Sequence, residues 1–199
     1  MRAGRNVVLR DLEVSGCRSA CLLTERDTRD VSMIGNRVDG SVWDGISLNR
    51  TARARITGNV VRGNTASGIT AEHLEDSVLE GNVLEGNKTH GIYLADSYRN
   101  RFAGNHFVRN VLSGVFLTCA VRVREPPVAC WDGSMSAGNT FSRNELTGNR
   151  IAFTLAPDDR APCTAPGFAR NRSDGDHIAH NPRSEPYPER LGTCLVFGD

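Results

Sequence analysis

A period of 23 residues between positions 33 and 118, apolar columns that keep it, and an asparagine at the same turn of every period together predict an all-β chain wound as a single-stranded parallel β-helix, a solenoid. Gly-Asn recurs as Gly35-Asn36, Gly58-Asn59, Gly81-Asn82 and Gly104-Asn105, and a second glycine recurs as Gly45, Gly68, Gly91 and Gly114. The apolar columns are Met33, Ile56, Leu79, Phe102; Val38, Val61, Leu84, Phe107; Ile46, Ile69, Ile92, Val115; and Leu48, Ala71, Leu94, Leu117. Within each period the apolar residues alternate briefly and are then cut by Gly or Asn, the pattern of strand and turn rather than helix. Three short strands and three turns fit in one period, and coils stacked at about 4.8 Å let each backbone bond the coil above and below. About five to six coils are expected. Asn36, Asn59, Asn82 and Asn105 form the predicted ladder, because Asn tolerates a left-handed turn and can pass side-chain amide hydrogen bonds from coil to coil. Asn64, Asn87 and Asn110 mark a second turn.

The elements on either side keep the pattern loosely. Residues 6–15, with Val7, Val8, Leu9, Leu12 and Val14, read as an earlier coil a residue or two out of register, with Cys17 and Cys21 in its turn. Nothing in the sequence caps that coil, and a bare β edge is a liability. Either a missing upstream segment or pairing with another chain is therefore expected there. After Leu117 the next Gly-Asn is Gly138-Asn139, about half a period later than the spacing from Gly104-Asn105 requires, which implies an insertion and a loop over 119–137. Positions 144–149, followed by Ile151 and Phe153, read as a last, shortened coil. From 157 onward Pro, Asp and Arg dominate without a period. The expected organisation is a β-helix over 1–156 and a C-terminal cap or tail over 157–199.

Composition narrows the partners. Lys+Arg number 24 against 23 Asp+Glu, a net charge of +1, so no global field favours nucleic acid or an anionic membrane. No apolar run is long enough to span a bilayer, and the opening residues lack the apolar stretch of a signal peptide. Cysteines at 17, 21, 119, 130, 163 and 194 contain no C-x-x-C pair, which disfavours zinc and thioredoxin-like redox motifs and favours disulfides. Six cysteines allow 15 connectivities. Proximity suggests Cys17 with Cys21, Cys119 with Cys130, and Cys163 with Cys194. Such bridges place the protein outside the cytosol, secreted or periplasmic.

The motif G-N-x-x-x-G-N followed by G-I-x-L resembles the right-handed parallel β-helix repeats of the pectin-lyase-like superfamily. Within it, the likeness is to generic β-helix repeat proteins and the periplasmic copper-associated NosD type, and it covers residues 6–155. The resemblance implies a right-handed solenoid and a polysaccharide partner. It implies no single activity, because this scaffold hosts lyases, epimerases, hydrolases and non-catalytic proteins alike.

In each G-I-x-L strand Ile and Leu point inward, so the residues between and after them face solvent. Two outward columns result, Ser47, Thr70, Tyr93, Phe116 and Asn49, Glu72, Ala95, Thr118. In polysaccharide-acting relatives this face forms the substrate groove. Cleaving or epimerising a uronate requires a group to neutralise the carboxylate, a base and an acid. His90 and Tyr93 are the candidate base and acid, Lys88 or Arg99 the candidate cation, and Glu72 with Asp96 a candidate Ca2+ pair. The Asp-Pro-His motif of alginate epimerases, the paired aspartates of polygalacturonases and the calcium aspartates of pectate lyases are missing from the sequence. The candidate ligand-binding set is therefore Tyr93, Phe116, Glu72, Asn49, Asp44 and Trp43, with Trp131, since aromatic faces stack on sugar rings. Asp174, Asp176, His177 and His180 read as solvated residues of a tail rather than as a metal site. The expected function is an extracytoplasmic glycan-binding or structural module. A lyase or C5-epimerase on an acidic polysaccharide, and a NosD-like periplasmic accessory protein, are the alternatives.

Overall fold

The computed structural model describes residues 1–123, 129–131, 134–155, 162–183 and 193–198. Positions 124–128 and 132–133 of the expected insertion, and 156–161, 184–192 and 199 of the C-terminal segment, lie outside the described residues. From Val8 to Leu155 each coil gives one strand to each of three parallel sheets, and the described C-terminal strands extend the first two. In the order the chain meets them, the first sheet has eight strands, from Val8–Arg10 to Leu195–Phe197; the second has seven, from Glu13–Ser15 to His177–Ala179; the third has seven, among them the long Ile46–Ala52 and Ile69–Glu75. Strand registers follow the sequence period. Ile56, Leu79 and Phe102 stand side by side in the first sheet, Val61, Leu84 and Phe107 in the second, and Ile46, Ile69, Ile92 and Val115 in the third. All are buried and join one core along the axis, where Phe102 stacks on Phe141 at 4.7 Å.

Turn asparagines close the coils. The backbone N–H and Nδ2 of Asn82 donate to Asn105 Oδ1 at 3.0 and 2.9 Å, and Nδ2 also donates to the Ile56 carbonyl at 2.8 Å. Its Oδ1 accepts the equivalent pair from Asn59 at 3.0 and 2.9 Å. Every polar atom of the buried amide is used, which makes its burial tolerable. This ladder runs from Asn36 to Asn144 and ends on Asp176. A second runs from Ser41 through Asn64, Asn87, Asn110 and Asn149 to Asn181. Among the described residues, the buried side-chain polar atom left without a partner is Thr57 Oγ1. The other glycine column marks the closest approach of successive coils: a Cβ on Gly91 would stand 2.6 Å from the Gly114 carbonyl oxygen.

Several expectations are corrected. The coils number about seven rather than five to six, because Asn171–Asp174, His177–Ala179 and Leu195–Phe197 continue the first two sheets beyond 157. Gly138-Asn139 does not stack on Gly104-Asn105. Asn139 instead receives Asn100, across 39 residues, and Asn171 receives Asn139 across 32. The insertion is thus longer than the spacing of the Gly-Asn pairs implies, and Ser77, Asn100, Asn139 and Asn171 form a third ladder that the sequence did not reveal. The physical reason is that stacking needs the right residue at each corner, while the chain between corners can lengthen into loop. Within the insertion Val121–Val123 pairs antiparallel with Ala129–Cys130. The bridges are Cys17 with Cys21, Cys119 with Cys130 and Cys163 with Cys194, the pairing suggested by proximity.

Candidate functional face of the third sheet

Alternation along the third sheet sends Ile and Leu into the core and leaves Ser47, Thr70, Tyr93, Phe116 and Thr154 in register on successive coils. The next column faces outward at Asn49 and Glu72, whereas Ala95 and Thr118, in register with them and expected to be exposed, are buried. At the centre, the His90 ring stacks on Phe116 at 4.6 Å and Tyr93 meets Phe116 edge-on at 5.2 Å. These three make one half-buried aromatic cluster across two coils. His90 Nδ1 and the buried hydroxyl of Ser113 share a 2.6 Å hydrogen bond, and burial pushes the imidazole down to about 4. His90 is therefore neutral at pH 7, but so acidic a conjugate acid makes it a poor general base there. Sequence reasoning missed Ser113 as its partner, although the two occupy the same column one period apart.

The polar groups around this cluster are mutually arranged. Asn49 Nδ2 donates to Glu72 Oε2 at 3.0 Å. Asp44 is buried at the edge of the face, where Oδ1 accepts the Ser67 N–H at 3.0 Å. Burial raises its pKa, against hydrogen bonds from Thr70 and Ser67. Trp43 projects from the preceding turn and is 60% exposed, and Lys88 lies in the same turn two coils on. Trp131, at the end of the insertion hairpin, is also exposed.

Other candidates are placed elsewhere. Arg99 stands at the far corner of the third sheet, where Nε and Nη2 donate to Asp76 at 2.7 and 3.0 Å and Nη2 to Glu75 at 3.1 Å. Those ion pairs withdraw it from the outward columns. The calcium pair is corrected: Glu72 is in register with Ala95, and both Asp96 carboxylate oxygens are occupied at the base of the insertion, by the Ala120 N–H at 2.9 Å and the Ser134 hydroxyl at 2.7 Å. The C-terminal polar residues also divide. Asp174 pairs with Arg172, Asp176 ends a ladder, and His177 begins a strand of the second sheet. Among the described residues, no group of three His, Cys, Asp or Glu side chains could hold a metal ion.

The family model described as periplasmic copper-binding protein (NosD) matches residues 1–144. Among solved structures, the periplasmic alginate epimerase AlgG is similar with a TM-score of 0.74 and 16% identity, over 89% of this chain and 40% of the epimerase. The catalytic domain of a GH87 α-1,3-glucanase matches with a TM-score of 0.45 and 11% identity, over 100% of this chain and 49% of that one. The chain thus spans well under two thirds of either structure, and the likeness to the epimerase is one of fold. No curated protein matches the sequence.

The donors that copper would need are not gathered. All six cysteines are in disulfides, Met33 and Met135 are buried in the core, and Met1 packs against it. Of the histidines, His106 comes nearest to a cluster, with Nδ1 2.8 Å from Glu145 and His177 next in register. That is one exposed ion pair beside a third side chain, without the thiolate or thioether donors that select copper(I). The described residues of this chain do not fit a copper centre.

Proposed function

The chain belongs to the NosD family, and from that premise we propose that it is an extracytoplasmic β-helix module that binds glycan on the outward face of its third sheet without chemically altering it. The aromatic cluster of His90, Tyr93 and Phe116 carries this reading. Stacking surfaces for sugar rings stand there beside the Asn49–Glu72 pair, whose amide and carboxylate suit hydroxyl groups. The three disulfides and the periplasmic description of the family support the compartment. Against lyase or epimerase action stand the low basicity of His90, the engagement of Arg99 by two carboxylates, and the separation of Glu72 from Asp96.

A glycan array read beside ultraviolet detection of unsaturated products, with NMR for epimerised residues, tests this reading. Binding without turnover, weakened in Tyr93→Ala, is the expected result. Turnover abolished by His90→Ala would establish the lyase or epimerase reading instead, and absence of both binding and turnover would leave a structural or accessory role.

A further inference from the structure

Resting on the glycan-binding reading, we propose that the third-sheet face takes uncharged glycans and rejects polyuronates, because its aromatic cluster is bordered by the exposed Glu72 carboxylate and, among the described residues, no cation stands in either outward column. The charge pattern around the solenoid carries this. Outward positions of the first and second sheets hold Arg10, Arg55, Arg101, Arg172, Arg37 and Arg62. In the third sheet, the columns running from Leu23 through Ser47 to Thr154 and from Asn49 to Thr118 hold neither Arg nor Lys. Their charged group is Glu72, with the buried Asp44 at the edge. At the corner Arg99 is engaged by Asp76 and Glu75 and Arg50 by Asp27 at 3.3 Å, while Arg29 ends the short strand Thr28–Arg29 beside Ala52, outside both columns. Lys88 is a single charge in the preceding turn.

A polyuronate brings one carboxylate per sugar. Laid along this face, it would set like charges against Glu72 with no guanidinium in either column to accept them in the bidentate manner carboxylates favour. The arginines of the other two sheets lie around the coil, and salt screens exposed charges over about 10 Å. Like-charge juxtaposition of this kind is how a surface excludes a wrong partner. An uncharged sugar has no such conflict. Its C–H face can lie on Tyr93 or Phe116, whose centroids are 5.2 Å apart, while its hydroxyls meet the Asn49–Glu72 pair.

The test is titration of the full chain with neutral gluco-, manno- and galacto-oligosaccharides and with oligouronates of equal length, at low and high salt. At least one neutral series is expected to bind at least tenfold more tightly than any oligouronate, with little salt dependence, and to lose at least tenfold in Phe116→Ala. Glu72→Arg, with its fold checked by circular dichroism, is expected to raise oligouronate binding several-fold and to make it fall with salt. Oligouronate binding by the natural chain equal to or tighter than neutral binding would overturn this inference and leave the glycan-binding reading standing. Binding to neither series would overturn both.

Discussion

On the first and second sheets the outward positions form a lattice of opposite charges, with Arg62 bonding Asp39 at 2.7 Å, Arg37 bonding Asp39 at 2.9 Å and Arg101 reaching Glu80 at 3.3 Å. On the third sheet of the same coils they read Ser47, Thr70, Tyr93, Phe116 and Asn49, Glu72. The interior does not dictate that difference, since Leu79, Leu84 and Ile69 face one shared core from the three sides. Exposed ion pairs contribute only about 0–1 kcal/mol each, so the charged lattice serves mainly solubility and register. A face without that lattice, carrying half-buried aromatic rings instead, is where the proposed glycan site lies.

The largest expected effect lies in what the faces share. Asn82→Leu would deprive the Asn59 backbone N–H and one hydrogen of its Nδ2, as well as the Ile56 carbonyl, of their Asn82 partner in the interior and is expected to cost roughly 3–5 kcal/mol, measured by denaturant unfolding. A change below about 1 kcal/mol would remove the ladder as the common support. The next effect separates the faces by pH. The folded-state pKa of His90 is lowered from 6.5 to about 4, so the stability carried by its neutral form is complete above pH 6.5 and lost as pH falls towards 4. The loss is on the order of 3 kcal/mol. His90→Gln should flatten that part of the stability profile, whereas the exposed His106→Gln should leave it in place. Tyr93→Ala is expected to weaken glycan binding about tenfold, or about 1.4 kcal/mol, as read by calorimetry, with little change in unfolding midpoint. Arg101→Ala, on the charged lattice, is expected to change stability by less than about 0.5 kcal/mol and binding not at all.

How far the sequence could be read follows from the same stacking. Central coils were legible because their turn asparagines bond partners 23 residues away, and repetition at fixed spacing is visible in a sequence. The final coils use the same bonds across 39 and 32 residues. Asn100 and Asn171 therefore stayed hidden and Asn139 was read into the wrong column, and the equivalence of Asp176 to a ladder asparagine was missed. The column Ser47, Thr70, Tyr93, Phe116 was legible from alternation alone and His90 from the turn before it, whereas alternation failed for Ala95 and Thr118, which are buried. Arg99 and Asp96 were not legible, because their partners depend on left-handed corner residues, Asp76 at φ 49° and Arg99 at φ 57°, and on how the base of the insertion folds back onto Asp96.

The most direct measurement is amide chemical-shift mapping of the labelled chain during titration with the oligosaccharide that gives the strongest array signal. Perturbations confined to the third sheet and its flanking turn, centred on Thr70, Tyr93 and Phe116 and leaving Arg55, Arg101 and His106 unmoved, are the expected result. Shifts centred on the first or second sheet would contradict the proposal that glycan binds on the third-sheet face.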